Sequence, residues 1–374
     1  MRKKLTTQSF GSNLVLQGDN LLHMNSLASE TVDLCYIDPP FFTEKNYKNI
    51  LDGALSTLNW NENKRNGFFD SAAFFEKHIQ TKEKGLDAYL VWMKIRLQEI
   101  YRLLKPTGSI YVHLDYHASH YVKIILDEIF GIENFQNEIV WKRKQGSNST
   151  STPRSLSNNS DTILFYTKSK KYTFNPIYQN YSTEYINKNY NLIDENGDRY
   201  TSENMRAPSF SPTLVYNYKG YKPHPNGWCV NLAKMKELDS LGFLIFPKSK
   251  DGRIRRKNYL KDRKGVPLTN IWDDIGCLQG KSVEKTIWPT QKPMELLERI
   301  INLSSNKNDL VLDCFAGSGT TLHAAHKLER KFVGIEISSL AIQEIKKRFL
   351  KEDINLEIKT EADIKKFEYI LSAV

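Results

Sequence analysis

Apolar residues follow two different periods along this chain, and the changes between them mark its elements. Thr31-Val32-Asp33-Leu34-Cys35-Tyr36-Ile37 is a β-branched and aromatic run that predicts a buried strand. Asp38-Pro39-Pro40 must end it, because proline has no N–H for a ladder. From about 86 to 104 the spacing turns helical, with Leu90, Met93, Leu97, Ile100 and Leu104 on one face. Lys105-Pro106-Thr107-Gly108 reads as the turn that closes this helix. Residues 109–114 predict a second strand and about 119–129 a second helix. Towards the other end, 294–303 has helical spacing and Asp309-Leu310-Val311-Leu312-Asp313-Cys314-Phe315 is a strand pattern. A glycine turn follows at Ala316-Gly317-Ser318-Gly319-Thr320-Thr321, then a helix over 322–328 and a strand over 331–336. Strand–helix alternation at both ends predicts an α/β sheet with helices on its faces.

The middle of the chain, about 142–275, has a different texture. It is rich in Asn, Ser, Tyr, Lys and Pro, and clear periodicity is scarce. The Ser/Asn-rich stretch 145–160 reads as a mobile loop. Residues 248–264 hold nine basic side chains against Asp251 and Asp262. Tyr172, Tyr178, Tyr216, Tyr218, Tyr221, Trp228 and Tyr259 are spread through the region. Interleaved cations and aromatics suit phosphate contact and base stacking; a charged loop over a small aromatic core fits equally well. The chain divides at these changes into 1–141, 142–275 and 276–374.

Bulk properties narrow the class. At 374 residues the chain suits one large domain with an insertion, or two domains. A net charge of +10 fits a polyanionic partner, above all nucleic acid. The four cysteines form no Cys-x-x-Cys pair, which disfavours zinc ribbons and redox dithiols. Cys35 and Cys314 sit in apolar runs and read as buried small hydrophobes. The basic start, Met1 to Thr6, leads into no apolar segment, and no long uncharged apolar stretch occurs, so neither a signal peptide nor a membrane span is expected. Scattered cysteines fit a cytoplasmic protein.

Two short constellations carry chemistry. In the first, a strand runs through Phe315 into Ala316-Gly317-Ser318-Gly319-Thr320-Thr321 and then a helix. Glycines there let a ligand approach the backbone, and the helix start offers unpaired N–H groups. Glu336 ends the next strand, where an acidic residue in Rossmann-type units accepts two bonds from a ribose diol. The third glycine of the dinucleotide fingerprint is missing, with Leu322 in its place, and no P-loop lysine follows. These features together suit a ribose-bearing ligand without pyrophosphate, such as S-adenosylmethionine. A nucleotide site or a purely structural turn stays open at this point.

The second constellation is Asp38-Pro39-Pro40-Phe41, at the carboxyl end of a predicted strand. An exocyclic base amine is a poor nucleophile, because its lone pair is delocalised into the ring. A carboxylate and a rigid carbonyl, each accepting one N–H, would draw the nitrogen toward sp³. Asp38 supplies the carboxylate and Pro39 the carbonyl, with Pro40 fixing its direction. Phe41 offers a face on which a flipped base can stack. The methyl would then pass directly to nitrogen, with no covalent enzyme intermediate. Taken alone, the tetrapeptide is also a plain strand-ending turn.

Together the two motifs resemble the DNA amino-methyltransferases of the N6-adenine and N4-cytosine type, and the resemblance extends over nearly the whole chain. Gln17-Gly18-Asp19-Asn20 resembles the family's adenine-contacting segment. Thr290-Gln291-Lys292-Pro293 resembles the segment that precedes its glycine loop. The tract Arg255 to Leu260, Gly265-Val266-Pro267-Leu268 and Ile271-Trp272-Asp273-Asp274 is similar as well. Catalytic tetrapeptide first and cofactor loop last is the β-class order. It implies a circularly permuted Rossmann-like methyltransferase sheet, closed by both chain ends, with an inserted target-recognition domain. The resemblance implies Asp38, Pro39, Pro40 and Phe41 as catalytic. It implies Asp19, Asp38, Gln291, Lys292, Phe315, Ala316, Gly317, Ser318, Gly319, Thr321 and Glu336 as cofactor-binding. It further implies S-adenosylmethionine as cofactor, double-stranded DNA as substrate, a cognate restriction endonuclease as a candidate partner, no membrane, and a monomer or homodimer. Asp38 points to adenine, since N4-cytosine enzymes usually carry Ser there; Phe41, where many adenine enzymes carry Tyr, leaves cytosine open.

His113, Asp115, His117 and His120 crowd one strand–helix corner, but their order supplies no metal-ligand set, and no metal is expected. Asp87 reads as a helix-start residue that complements the dipole. A nicotinamide-dependent dehydrogenase, an inactive DNA-binding protein and an RNA or protein methyltransferase remain the competing classes.

Overall fold

The computed structural model describes residues 13–42, 84–144, 156–280, 282–288, 290–354, 356–360 and 362–363. The expected loop at 145–160 lies outside the described residues as far as 155; 156–159 is irregular, and Ser160 already begins a strand. Two compact units emerge, one formed by Met1–Asn175 with Thr269–Val374 and the other by Pro176–Leu268. The second is narrower than the expected 142–275, because residues on both flanks are strands of the large sheet.

Among the described residues, unit one is built on nine strands. They are β1 (Asn13–Gln17), β2 (Val32–Ile37), β3 (Leu104–Leu114), β4 (Phe135–Lys142) and β5 (Ser160–Thr167), then, beyond unit two, β12 (Ile271–Trp272), β13 (Leu310–Asp313), β14 (Lys331–Glu336) and β15 (Glu357–Thr360). Their order is β12-β4-β5-β3-β2-β13-β14-β1-β15. Every pairing is parallel except those of β5, which runs against both β3 and β4. β1 lies between β14 and β15, so the start and end of the chain close one sheet, as the permuted order implies.

The core explains the runs. β2 and β13 are buried along nearly their whole length, which is why they read as continuous apolar stretches rather than alternating ones. The helix Gly85–Leu103 turns Ala88, Trp92, Met93, Leu97 and Ile100 inward. Asp87 lies in its first turn, as expected. The turn expected at 105–108 is instead absorbed into β3. Val32 pairs with Leu104 but Leu34 pairs with Ser109, so the ladder jumps across Lys105–Gly108. Pro106 sits in this bulge, where the N–H it lacks costs no ladder bond.

The missing third glycine is compensated from the neighbouring strand. Leu322, in the helix Thr320–Lys327, packs against Gly334 of β14, and a Cβ on that glycine would collide with it. Close helix–strand packing is thus kept with the small residue moved to the other partner.

Unit two holds β6 (Tyr178–Gln179), β7 (Leu192–Ile193), β8 (Arg199–Asn204), β9 (Leu244–Ile245), β10 (Arg255–Tyr259) and β11 (Val266–Pro267). β7-β8-β10-β9 form an antiparallel sheet and β6 pairs with β11. Met205, Tyr218, Tyr221, Trp228, Met235, Leu238, Leu244 and Ile254 make its core. Tyr190, Tyr218, Tyr221, Tyr259 and Trp228 are therefore buried side chains rather than stacking platforms, whereas Tyr178 and Tyr185 remain exposed. The basic tract is also partly neutralised within the unit. Arg256 and Arg263 reach Glu203, and Lys261 pairs with Asp198. Lys248 and Arg253 are exposed and pair with no acidic side chain among the described residues.

Candidate active site

The parallel strands β1, β2, β13 and β14 end on the same edge. The chain leaves β2 toward β3 on one side and β13 toward β14 on the other. That reversal is where open α/β sheets leave a ligand crevice. A cavity of about 360 Å³ lies there, wholly within unit one. Asp19, Asp38, Pro40, Gln291, Lys292, Phe315, Ala316, Gly317, Ser318, Thr321 and Glu336 all line it. Of the remaining sequence candidates, Pro39, Phe41 and Gly319 do not touch the cavity. Pro39 is buried in the turn, Phe41 lies beside Lys292, and Gly319 caps the helix behind.

The glycine turn is held on every side. Gly317 has φ +50 and Gly319 φ +75, both in the left-handed region that favours glycine. The Gly319 N–H donates to Ala316 O (2.7 Å) and the Phe315 N–H to Asp313 Oδ1 (3.0 Å). Glu336 Oε2 accepts the Gly317 N–H and Oε1 the Ser338 N–H, each at 2.8 Å. Burial pushes Glu336 up to about 7 despite these bonds. Burial likewise raises Asp313 to about 7. From the last long helix, Ser339–Leu350, the Arg348 guanidinium donates to Ser318 O (3.1 Å).

Asp19 does local work. Its Oδ1 accepts the Leu21 N–H (2.9 Å) and so caps the helix Asn20–Ser26, and its Oδ2 pairs with Arg96 at 3.1 Å. Arg96 also donates to Asn20 Oδ1 (2.7 Å) and to Trp92 O (3.2 Å), and stacks 3.9 Å over the Trp92 ring. Asn20 in turn donates to Cys314 O at 2.9 Å, tying the first helix to the glycine turn. Gln291 braces its own segment. It accepts from the Thr286 N–H (2.7 Å) and donates to Glu284 O (2.7 Å).

The tetrapeptide has one unexpected neighbour. The Lys292 ammonium donates to Asp38 Oδ2 at 2.5 Å and lies 5.3 Å from the Phe41 ring centre. Asp38 Oδ1 is buried and accepts no hydrogen bond among the described residues. Phe41 packs nearly parallel to His113, with centroids 6.0 Å apart. His113 is fully buried and joins Tyr36 to Asp161, with Nδ1 2.9 Å from the Tyr36 hydroxyl and Nε2 3.1 Å from Asp161 Oδ2. Burial pushes the Tyr36 phenol well up, so it keeps its proton and donates to Nδ1; Nε2–H then donates to Asp161. Burial, helped by the Lys292 charge, holds the imidazole below its ordinary value, and hence neutral. The Arg143 guanidinium lies 2.9 Å from Asp161 Oδ1, without the alignment of a hydrogen bond. Among the described residues no three His, Cys, Asp or Glu side chains gather as a metal site.

Sequence reasoning missed Trp92, Arg96, Trp288 and Asn20 as cavity residues, together with Arg348 and the His113 network. Asn20 belonged to the Gln17–Asn20 motif without being singled out. The others carry no local pattern, and only the fold brings them here.

Comparison with known proteins agrees with this geometry. Residues 32–347 match the model of the N6/N4 methyltransferase family, described as DNA methylase. The type II methyltransferase M.EcaI of Enterobacter cloacae is 33% identical over 90% of this chain and 69% of its own length. The type III restriction-modification enzyme StyLTI Mod subunit of Salmonella typhimurium is 31% identical over 85% of this chain and 50% of its own. DNA adenine methyltransferase YhdJ of Escherichia coli is 26% identical over 91% and 84%. This chain spans about half the length of that Mod subunit. No helix among the described residues is long and apolar enough to cross a membrane.

Proposed function

From the premise that this chain belongs to the N6/N4 DNA methylase family, we propose that it methylates N6 of adenine in duplex DNA at a specific sequence, using S-adenosylmethionine. The observation that carries the reading is the single cavity shared by Asp38 and the glycine turn. Asp38, the proposed amine acceptor, and Glu336, the proposed ribose acceptor, line the same crevice, which supports the reading. The residues fit the cofactor: Phe315, Leu297, Ile335 and Ile337 give apolar walls, and Glu336 stands where a ribose diol would sit. When bound, S-adenosylmethionine supplies an electrophilic methyl group on a sulfonium.

The chain's own residues do the rest. Asp38 Oδ1, buried and unengaged, accepts one N–H of the target amine. The Pro39 carbonyl accepts the other and Phe41 stacks on the flipped base. The amine becomes acidic as it is alkylated, so Asp38 needs no unusual basicity to take up a proton. The His113 ring behind Phe41 fixes the stacking surface. Unit two, with its unpaired cations, acts as the target-recognition region, contacting phosphates and reading the site.

Asp38 favours adenine, and the adenine relative YhdJ supports it. The type II and type III relatives support a restriction-modification setting with a partner endonuclease; an orphan role fits the same chemistry. Incubation with duplex DNA and isotopically labelled cofactor, followed by nucleoside mass spectrometry, tests the base. Labelled N6-methyladenine is expected. Labelled N4-methylcytosine would replace the adenine reading, and no labelled nucleoside would favour an inactive DNA-binding protein.

A further inference from the structure

Lys292 was expected on the cofactor side, yet its ammonium is bound to the catalytic carboxylate. Both cannot be its working position during transfer. As the target amine is alkylated it gains positive charge beside Asp38. An ammonium on Oδ2 would then oppose the charge that Asp38 is there to stabilise.

The cavity itself shows where the lysine can go. Among the described residues four carboxylates line it, Asp19, Asp38, Asp313 and Glu336, and the lining cations are only Arg96 and Lys292. Arg96 is spent, with donors on Asn20, Trp92 and Asp19. The methionyl part of the cofactor brings a further carboxylate into this acidic space. Among the described lining residues, Lys292 is the cation left to meet it. Its backbone stays braced by Gln291 and by the helix Met294–Ser304 that starts two residues on.

Building on the cofactor reading above, we propose that Lys292 is a hand-over residue. In the free enzyme it holds Asp38 Oδ2; on cofactor binding it transfers to the cofactor carboxylate and frees Asp38 for the target amine. Base capture is thereby made to follow cofactor binding. Lys292 is a positioning residue here, acting on the amine only through Asp38.

The test needs no knowledge of the target sequence. S-adenosylhomocysteine and its decarboxylated analogue differ only in the carboxylate, and the ratio of their affinities, measured by calorimetry, isolates its contribution. In Lys292→Gln, and in Lys292→Met, which keeps the aliphatic stem, the ratio should collapse toward one. In Asp38→Asn the ratio should rise about fivefold or more, the lower end of usual coupling between sites, because the lysine no longer leaves a charged partner. Adding Lys292→Gln to Asp38→Asn should abolish that rise. Retained affinity for the decarboxylated analogue shows that each variant is folded. A ratio insensitive to Lys292 would overturn the proposal and assign the carboxylate to the N-terminus of the helix Thr320–Lys327. An unchanged ratio in Asp38→Asn would overturn the hand-over alone. Failure of the wild type to bind either ligand would instead remove the cofactor reading, and this inference with it.

Discussion

Asp38, Glu336 and His113 each owe their chemistry to what surrounds them. Asp38 was readable because two prolines follow it at a strand end; its unengaged buried oxygen was not, since that depends on Lys292 from far along the chain. Asp38→Ala should lower methyl transfer by about 10²–10³ while cofactor binding persists, as single-turnover rates and calorimetry can check. Glu336, raised to about 7 by burial, would have to be ionised to accept both ribose hydroxyls in the proposed role. The ionised fraction grows with pH, so affinity for S-adenosylhomocysteine should rise from about pH 6 and level off above the Glu336 value. Asp313 titrates in the same range, so Glu336→Gln, which should flatten most of the profile, identifies the group. His113 is a base whose folded value lies below its ordinary 6.5. The unfolded chain therefore takes up the proton first, and His113 lowers stability progressively as pH falls below 6.5. Denaturant midpoints should decline over that range, less so in His113→Gln. The sequence showed His113 only as one member of a histidine-rich corner, because Tyr36 and Asp161 reach it from other strands.

Elements were legible wherever burial imposes a pattern. The strand at 331–336 and the helix from Met294 stand where apolar spacing puts them, since one face or both had to be covered. The bulge at Lys105–Gly108 was misread as a turn because a proline–glycine pair punctuates both, and only the register with β2 separates them. The exchange between Leu322 and Gly334 was also invisible, as it joins two elements through space. Gly334→Ala should destabilise unit one by about 1–3 kcal/mol through overpacking. Leu322→Val in the same chain should recover part of the loss, as thermal unfolding of the single and double variants would show. Recovery failing, with Gly334→Ala still destabilising, would place the strain elsewhere.

For the whole molecule, the permuted sheet was legible through the resemblance of the motif order to the β-class arrangement, and the pairing of β1 with β14 and β15 agrees with it. The limits of the insertion were less legible: β5 and the two-residue β12 lie within the variable middle in sequence, and only the pairing of β5 with β3 and β4, and of β12 with β4, assigns them to the large sheet. Charge counting likewise overstated the basic tract, because Glu203 and Asp198 lie outside it in sequence and pair with it in space. The cations left for phosphate include Lys248 and Arg253. Replacing both with alanine should weaken DNA binding and reduce the slope of log affinity against log salt by about two, near 0.9 for each lost phosphate contact. The central claim is that this chain methylates a base amine in DNA through Asp38, and one measurement bears on it most directly. The protein and its Asp38→Ala variant are expressed in a bacterial host free of DNA methylation, and the host genome is read by single-molecule sequencing. N6-methyladenine at one recurring sequence with the wild type, and none with the variant, is the predicted result. A genome without modified bases, from cells containing folded protein that binds S-adenosylhomocysteine, would contradict it.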